Sequence, residues 1–401
     1  IYLMTEVAAA EALILAHMPR FPARQESLSA CSGRVLAEDV HAERDQPPFD
    51  RVTMDGIAIA FRDFAAGVRS FEVVGIQAAG AEPLTVGGEQ CVEVMTGAVL
   101  PGGADTVVPV ERVQRNGAAA AITADATVAA EQFVHRRGSD REQGSLCLSA
   151  GARLGPPEIA VLAGAGHPTA LVAELPRVAV MSTGDELVEV GKPIAPHQIR
   201  STNDRAVEAS LVLHRLGHVT RARLRDDANA LAIAIDRLDA EHDVLVLSGG
   251  ISMGKYDFVP SVLTELGAKL VLQKVQQRPG RPMWFGVSAR GKPIFALPGN
   301  PVSTLVCATR YLLPALRQAS GLPAARQELV ELTAPIDASP TLTLFIPVTL
   351  ASSERGTLLA APHPTNTSGD FVTLAGTDGF VELAAKRGSY PAGTVARLFR
   401  W

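Results

Sequence analysis

Apolar runs that end at a serine and then a glycine form the clearest pattern in this chain. The run at residues 178–181 leads into the loop STGDE, and the run at 244–247 leads into SGGISMG. Short continuous apolar runs bounded by glycine are typical of buried strands in a parallel sheet. Loops at the carboxyl ends of such strands let backbone N–H groups approach an anionic ligand. We therefore expect both loops to meet at one sheet edge and to form a pocket there.

A third apolar run and several predicted helices complete an α/β pattern. This run leads into the loop PGNP, whose last proline, Pro301, suits the first turn of a continuous helix. Another helix is predicted with Asn203 or Asp204 as its cap and Gly217 as its stop. Strands and helices alternate in this way from about residue 176 to 321. The alternation predicts an α/β domain with a mostly parallel sheet.

Short strands dominate the rest of the sequence. Residues 5–17 predict a helix, and the glycine-broken runs from residue 34 to about 127 predict a small β domain inserted into a helical one. Residues after 321 predict another all-β module, a small barrel or sandwich. The expected parts are residues 1–175 with a β insert at about 50–132, residues 176–320 and residues 321–401. One side of the first helix is expected to carry Ala8, Ala9, Leu13, Ile14 and His17.

Length and composition narrow the class of protein. A chain of 401 residues is too long for one core and suggests about two to four domains. A net charge of -5 gives no cationic field, which argues against nucleic-acid binding as the main activity. The four cysteines are far apart and form no CxxC pair, as expected for reduced, mostly buried thiols. Without a long apolar run or a signal peptide, we expect a soluble, cytoplasmic protein that binds no membrane, although residue 1 is Ile and the start of translation is open.

Several carboxylates are predicted at the same sheet edge as the glycine loops. Glu186 follows the first loop, Asp226 and Asp227 precede a helix, and Asp257 follows the second loop. Carboxylates beside phosphate-binding loops are how proteins hold Mg²⁺ on a polyphosphate. Helix capping is the competing interpretation, because Asp in a first turn stabilises a helix anyway. Both interpretations stay open for Asp226 and Asp227, whereas we favour metal binding for Glu186 and Asp257.

Other motifs carry weaker signals. The loop RPGRP at 278–282 combines two arginines with two prolines and a glycine. This combination favours binding of a multiply charged oxyanion over the competing interpretation, an ordinary surface turn. Asp55, Thr96 and Asp140 each lie beside glycine, where turns are more frequent than sites. The histidines form no triad, and the sequence has no GxSxG, GxGxxG or GxxxxGKS motif. Serine-hydrolase, dinucleotide-binding and P-loop chemistry are therefore disfavoured.

Taken together, these segments resemble the molybdopterin molybdenumtransferase family, which includes MoeA and the E domain of gephyrin. The resemblance covers nearly the whole chain and keeps the order of the family's motifs. It is carried by PPFDRVTMDG, MTGAVLPGGADTVVPVE, RRGSD, VAVMSTGDEL, DVLVLSGGISMGKYDF, RPGRPMWFG, FALPGNPVS and NTSGDFVTLAGTDGF.

The resemblance implies both a fold and a reaction. The fold has an elongated helical domain with a β insert, a three-layer, MogA-like, molybdopterin-binding α/β domain and a carboxyl-terminal β-barrel domain. The implied subunit forms a homodimer, with each active site between the α/β domain of one subunit and the β insert of the other. The implied reaction inserts molybdenum from molybdate into adenylylated molybdopterin, with Mg²⁺-dependent release of AMP. A molybdopterin adenylyltransferase is the implied partner that supplies the pterin.

The resemblance also assigns roles to individual residues. It implies that Asp55, Thr96 and Asp140 act from the partner's side of the cleft. On the α/β side it implies catalytic roles for Glu186 and Asp257, which are also the expected Mg²⁺ ligands. The residues it implies in substrate or cofactor binding are Thr183, Gly184, Asp226, Ser248, Gly249, Gly250, Arg278, Arg281, Pro298, Pro301, Ser303 and Ser368.

Two departures from the family pattern leave alternatives. The family usually has two lysines where this chain has Arg278 and Arg281, and an arginine where Pro347 aligns. Arginine keeps the charge but has a larger, planar head group. One alternative is therefore a divergent, non-catalytic paralogue that carries the pterin nucleotide or acts as a scaffold. A molybdopterin adenylyltransferase is a third interpretation, since the α/β domain resembles that enzyme too.

Overall fold

The computed structural model describes residues 4–251 and 258–401. The chain forms two compact units. The larger unit contains residues up to 37, residues 151–155 and residues from 171 onward, and the smaller unit contains residues 38–150 and 156–170. In the part of the chain that the structure describes, no helix is long and apolar enough to cross a membrane.

Residues 4–175 contain three helices and twelve short strands. The helices are α1 (Val7–Ala16), α2 (Phe61–Ala65) and α3 (Pro156–Gly164). The strands are β1 (Ala23–Ser27), β2 (Val40–His41), β3 (Arg51–Val52), β4 (Gly56–Ile59), β5 (Ser70–Gln77), β6 (Gln90–Val94), β7 (Thr106–Pro109), β8 (Val113–Asn116), β9 (Ala119–Ile122), β10 (Val134–His135), β11 (Leu146–Leu148) and β12 (Thr169–Ala173).

A six-stranded sheet with the order β7-β4-β6-β5-β9-β8 forms the centre of the smaller unit. Both of its faces are covered, because Ile57 and Ile59 belong to one apolar cluster and Ala58 belongs to another. Successive side chains of a strand point to opposite faces, so two clusters require a sheet buried on both sides. The small β domain predicted from the sequence is therefore present.

The residues expected on one side of α1 differ in their exposure. The buried residues are Val7, Ala10 and Ile14, whereas the expected positions Leu13 and His17 are exposed. The sequence VAAAEALILA has apolar residues all round the helix, so its periodicity selects no face. Packing against the apolar core of the larger unit decides which side is buried.

The described residues of the α/β region form nine strands and five helices. The helices are α4 (Asn203–His214), α5 (Ala228–Glu241), α6 (Val259–Glu265), α7 (Pro301–Cys307) and α8 (Leu313–Ala319), with a π-helical segment (Ala308–Leu312) between the last two. The strands are β13 (Arg177–Thr183), β14 (Leu187–Val188), β15 (Ile199–Arg200), β16 (His218–Leu224), β17 (Val244–Ser248), β18 (Lys269–Gln273), β19 (Gln277–Arg278), β20 (Trp284–Val287) and β21 (Pro293–Leu297).

The main sheet has the order β16-β13-β17-β21-β20-β18. Its first four strands are parallel, and β20 pairs antiparallel with both β21 and β18. Helices α4 and α7 pack on one face, and α5 and α6 pack on the other. The structure thus confirms a mostly parallel, three-layer α/β domain. Ser248 lies opposite both Ser182 and Leu297 in the register, so three loops begin at the same level of the sheet.

The predicted helix ends differ from the observed ones. Asn203 is the first residue of α4 rather than its cap. The helix ends at His214, and Arg215 takes the left-handed conformation with φ 52° that Gly217 was expected to supply. Gly217 is needed for a close approach instead, since a Cβ there would lie 2.9 Å from the Pro176 carbonyl oxygen. Likewise, the helix after Pro301 is interrupted by the π-helical segment.

The carboxyl-terminal region is a closed barrel. Its order is β24-β25-β22-β28-β26, and pairing of β24 with β26 closes it around an apolar core. Strand β19 extends the sheet by pairing with β24. The strands are β22 (Glu328–Leu332), β23 (Ile336–Asp337), β24 (Thr343–Ser352), β25 (Leu358–Pro362), β26 (Gly379–Leu383), β27 (Ser389–Tyr390) and β28 (Val395–Arg400).

Candidate functional site

A cavity of about 1470 Å³ opens where the parallel strands of the larger unit end. The loops after β13, β17 and β21 line it, together with the first residue of α4. The arginine loop at 278–282 and residues of the barrel region also belong to the lining. The predicted site residues in this lining are Thr183, Gly184, Glu186, Asp226, Ser248, Gly249, Gly250, Arg278, Arg281, Pro298, Pro301, Ser303 and Ser368.

Glycine is required where the first two loops touch. Gly249 has φ 96°, and a Cβ on it would lie 2.7 Å from the Thr183 carbonyl oxygen. Gly250 has φ 66°, and its Cβ would lie 2.8 Å from a methyl group of Val259. Both positions therefore combine a left-handed backbone with a contact that excludes a side chain. The sequence SGG brings the two loops closer than any larger residues would allow.

Two hydroxyl groups of the first loop are buried without partners. Ser182 is 2% exposed and Thr183 is 5% exposed, and both line the cavity. Neither hydroxyl finds a hydrogen-bond partner among the described residues. Buried polar atoms are satisfied in most proteins, so an unsatisfied pair in a cavity indicates where a ligand or water supplies the partner.

Asn203 ties the loops together at the base of the cavity. Its Nδ2 donates to Ser248 Oγ at 2.8 Å and to the Gly299 carbonyl oxygen at 2.7 Å. Thr304 Oγ1 donates to the Pro298 carbonyl oxygen at 2.6 Å. These bonds join the loop after β17, the loop after β21 and the start of α4. Ser248 and Pro298 therefore belong to the framework of the site.

The barrel region closes the cavity through Ser368. Asn300 Nδ2 donates to Ser368 Oγ at 2.7 Å, and the Val302 backbone N–H donates to the Ser368 carbonyl oxygen at 3.1 Å. Ser303, 4% exposed, lies in the turn of α7 beside this contact. Because Asn300 and Ser368 are 68 residues apart in sequence, no local pattern reveals their contact.

The two expected aspartates before α5 have different positions. Asp227 Oδ1 accepts a hydrogen bond from the Ala230 backbone N–H at 2.8 Å, so Asp227 caps the helix. Asp226 is half-buried and lines the cavity. Capping is thus observed for Asp227, while metal binding by Asp226 stays a prediction. Asp257 lies outside the described residues.

The cavity lining contains both carboxylates and guanidinium groups. Glu186 and Asp226 are the acidic residues of the described lining, and Arg278 and Arg281 are exposed in the arginine loop. In residues 4–251 and 258–401, neither of these two arginines makes an ion pair with a carboxylate, and Arg281 Nε and Nη2 contact Met4 Sδ at 3.2 and 3.1 Å. Arg200 also lines the cavity, and its Nη1 donates to the carbonyl oxygens of Glu189 and Lys192. Both guanidinium groups of the arginine loop therefore lack a carboxylate partner in the described part of the chain.

The donor set fits a magnesium ion that shares its ligands with a substrate. Among the described residues, no group of three or more His, Cys, Asp or Glu side chains is placed to hold a metal. Mg²⁺ is usually bound by one or two carboxylates together with substrate phosphates and water. Glu186 and Asp226 supply carboxylates of this kind beside the glycine loops.

The remaining predicted residues lie in the smaller unit. Asp55 Oδ1 accepts hydrogen bonds from Thr96 Oγ1 at 2.7 Å and from the Thr96 backbone N–H at 2.6 Å. These bonds, with the Thr96 hydroxyl first, lower the pKa of the Asp55 carboxyl. Asp140 Oδ1 lies 2.9 Å from His135 Nε2, whose other ring nitrogen contacts Arg51 at 3.0 Å. The structure brings Asp55 and Thr96 together, and all three predicted residues are exposed.

Several framework residues were not identified as such from the sequence. Asn203 was predicted only as a helix cap, and Asn300 was not predicted at all. Both lie in segments that the sequence analysis had singled out, and an asparagine next to a glycine loop is a signal for backbone tethering. The contact between the buried residues Gln277 and Tyr311 was not predicted either, because nothing in the local sequence pattern indicates it.

Comparisons with known families cover most of the chain. Residues 5–166 match the family described as the MoeA N-terminal region (domain I and II). Residues 179–318 match the family described as a probable molybdopterin binding domain. Residues 330–398 match the MoeA C-terminal region (domain IV).

Individual relatives agree with these families. A molybdopterin molybdenumtransferase from Synechocystis sp. is 37% identical over 400 residues, which cover 99% of this chain and 100% of that protein. One from Bacillus subtilis is 30% identical over 375 residues, covering 91% of this chain and 86% of that protein. A solved molybdopterin biosynthesis MoeA protein from Pyrococcus horikoshii has a TM-score of 0.84 and 31% identity, covering 99% of both chains. This chain therefore belongs to the molybdopterin molybdenumtransferase family, a family of transferases in molybdenum cofactor biosynthesis.

Proposed function

We propose that this protein inserts molybdenum from molybdate into adenylylated molybdopterin and releases AMP in a Mg²⁺-dependent step. The main supporting observation is the lining of the cavity in the larger unit. Its first part consists of the glycine loops and of the Ser182 and Thr183 hydroxyls, which find no partner among the described residues, and its second part is the arginine loop, whose two guanidiniums have no ion pair among those residues. A pterin nucleotide has a phosphate group that suits the first part, and molybdate is an oxyanion that suits the second.

The phosphate end consists of the glycine loops. The hydroxyls of Ser182 and Thr183 donate to phosphate oxygens, which satisfies groups that have no partner among the described residues. Gly249 and Gly250 let the backbone approach the same oxygens without a side chain between them. Ser248 is held by Asn203 and positions this loop. Thr183, Gly184, Ser248, Gly249 and Gly250 are accordingly proposed as substrate-binding residues.

The oxyanion end consists of the arginine loop and the segments opposite it. The guanidinium groups of Arg278 and Arg281 bind oxyanion oxygens, and a planar fork suits two oxygens at once. Pro298, Pro301 and Ser303 shape the wall beside them, and Ser368 holds Asn300 in place. Pro347 is buried and lies in the lining, so this chain offers no cation at that position. The proposed clamp therefore relies on the two loop arginines.

Magnesium fits beside the phosphate end. Glu186 and Asp226 would hold the ion together with substrate phosphate oxygens, and Asp257 stays a predicted ligand. When bound, Mg²⁺ supplies a positive charge that stabilises the phosphate oxygens while the adenylate is cleaved. The chain's own contribution is orientation, because Ser182, Thr183 and the glycine loops fix the phosphate before reaction.

The active site is proposed to be completed by a second subunit. Asp55, Thr96 and Asp140 are exposed on the smaller unit, and the Thr96 bonds keep Asp55 ionised. In a homodimer, these residues face the cavity of the partner. Such a site can be tested by mixing Asp55→Asn and Glu186→Gln chains, each inactive alone. Half of the dimers then pair the two variants and contain one intact site of two, so mixing restores about one quarter of the wild-type activity. Activity that stays at the level of the separate variants contradicts the shared site.

The activity itself is tested with purified protein, adenylylated molybdopterin, Mg²⁺ and molybdate. AMP release that depends on molybdate, together with formation of active cofactor, supports the proposal. Absence of AMP release with any oxyanion contradicts it. ATP-dependent adenylylation of free molybdopterin in the same assay would instead identify an adenylyltransferase.

One observation favours a second candidate function. Pro347 replaces a cation in the wall of the cavity, which weakens an oxyanion clamp while leaving the phosphate end intact. A chain of this kind could carry the pterin nucleotide or act as a scaffold. Tight binding of adenylylated molybdopterin without turnover supports that function, whereas turnover excludes it.

A further inference from the structure

The arginine loop rests on a buried amide. Gln277, which is 0% exposed, immediately precedes the loop in strand β19. Its Nε2 lies 3.2 Å from the carbonyl oxygens of Pro279 and Gly280, and it also contacts Cys307 Sγ at 3.4 Å. A side-chain amide has two donor hydrogens, and both are used by these acceptors inside the protein. The side chain of Gln277 therefore fixes the backbone of the arginine loop.

The atoms packed against the arginine loop leave no room for a side chain at Gly280. Gly280 has φ 89°, and a Cβ there would lie 2.5 Å from Cys307 Sγ and 2.7 Å from Gln277 Nε2. On the other side, β19 pairs with β24 of the barrel region. The loop is thus fixed at its backbone, while Arg278 and Arg281 line the cavity with exposed side chains, and the Arg281 guanidinium contacts Met4 Sδ.

Gln277 is itself oriented by Tyr311. The Tyr311 hydroxyl donates to Gln277 Oε1, and the Tyr311 side chain is 1% exposed. This bond decides which end of the amide faces the loop, because the oxygen is engaged and only the nitrogen can donate to Pro279 and Gly280. Tyr311 lies in the π-helical segment, and π-helical turns are rare and concentrate at functional sites.

A buried ion-pair cluster fixes Tyr311 from the far side. The Arg310 guanidinium lies 5.3 Å from the centre of the Tyr311 ring and binds Glu382 at 2.7 Å and Glu11 at 2.9 Å. Glu11 belongs to α1 and Glu382 to β26, so the cluster links two elements of the larger unit to the π-helical segment. A continuous path of contacts runs from this cluster through Tyr311 and Gln277 to the arginine loop.

We propose that Tyr311 and Gln277 are positioning residues for oxyanion binding. They hold the loop so that both guanidiniums reach one oxyanion, and neither side chain touches the substrate. This inference rests on the proposed function, because it concerns the oxyanion end of the same cavity. According to this inference, the Gln277 amide and the Tyr311 phenol affect binding of the oxyanion and do not affect binding of the pterin nucleotide.

The test is a comparison of Michaelis constants. Tyr311→Phe is expected to raise the KM for molybdate about tenfold and to leave kcat and the KM for adenylylated molybdopterin within about twofold. Tyr390→Phe is the matched control, since its hydroxyl donates to the Ala384 carbonyl oxygen in the barrel region and lines no part of the cavity. That variant should leave both constants unchanged. Gln277→Met, which keeps the side-chain length, should raise the molybdate KM in the same direction.

A second measurement separates positioning from a general structural role. In a background that carries Arg278→Ala and Arg281→Ala, Tyr311→Phe should produce no further rise in the molybdate KM, because the cations it positions are gone. An equal rise in that background overturns the inference. So does an unchanged molybdate KM in both Tyr311→Phe and Gln277→Met when thermal unfolding shows that they are folded.

The two levels of the proposal fail differently. A wild-type protein that shows no molybdate-dependent turnover overturns the proposed function and this inference with it. Wild-type turnover combined with an unchanged molybdate KM in the variants overturns the inference alone.

Discussion

Gly249→Ala tests whether the close approach of the two glycine loops is needed for substrate binding. A Cβ at Gly249 would lie 2.7 Å from the Thr183 carbonyl oxygen and 2.9 Å from Thr183 Oγ1. Ordinary contacts begin at 3.4 Å, so the loops must separate by about 0.7 Å. The backbone at φ 96° adds about 1–2 kcal/mol of strain for any residue with a Cβ.

Gly191→Ala is the matched control for the backbone term. Gly191 has φ 82°, and no atom lies within 4 Å of its Cβ position. The backbone term should therefore cost both variants about 1–2 kcal/mol of unfolding free energy in denaturant titrations, and Gly249→Ala should lose more because its methyl group also meets the Thr183 carbonyl oxygen. Only Gly249→Ala should also displace the Thr183 hydroxyl, because only its new methyl group meets the neighbouring loop.

The assay is steady-state AMP release at varied concentrations of adenylylated molybdopterin. Gly249→Ala should raise the KM for this substrate by at least about tenfold, whereas Gly191→Ala should leave it unchanged. An unchanged KM in folded Gly249→Ala would refute the reasoning, since the loop contact would then have no part in binding. Equal effects of both substitutions would assign the change to backbone strain alone.

Three further results are expected from the structure. Arg310→Leu should cost about 3 kcal/mol of unfolding free energy, because it leaves Glu11 and Glu382 unpaired at 24% and 23% exposure. Arg400→Leu removes an exposed ion pair and should cost at most about 1 kcal/mol. Equal losses of the two variants in denaturant titrations would contradict this expectation. Burial raises the pKa of the Cys307 thiol to about 12 and that of the Cys91 thiol to about 11. At pH 8 a disulfide reagent should therefore modify half-buried Cys147 first in the native protein. Rapid modification of Cys307 would argue against the close packing around its thiol. Arg278→Lys combined with Arg281→Lys should preserve or improve turnover if the arginines only reflect composition, and a large loss of kcat/KM would show that the clamp uses their planar geometry.

Local patterns were sufficient for the strands that position the site. The run at 178–181 lies within β13, and the run at 244–247 lies within β17. These strands are buried on both faces, so their apolar character is visible in the sequence itself. Glycine after a buried strand was likewise a sufficient signal for the loops of the cavity.

The contacts between distant segments could not be predicted in this way. Asn300 contacts Ser368, and Tyr311 contacts Gln277, across 68 and 34 positions of sequence. Only the folded chain brings these residues together. The buried side of α1 could not be predicted for a related reason, since an alanine-rich helix has no polar face to orient it. Asp226 and Asp227 show the limit most clearly, because neighbouring carboxylates with the same local signal have different positions.

The most direct test of the central claim is AMP release from adenylylated molybdopterin by the purified wild-type protein, measured with Mg²⁺ in the presence and absence of molybdate. Molybdate-dependent release, lost in Glu186→Gln and in Asp55→Asn, is the result expected from a cavity that binds a phosphate at one end and an oxyanion at the other. Tight binding of the pterin nucleotide with no AMP release under any oxyanion condition would contradict the claim and leave a carrier function in its place.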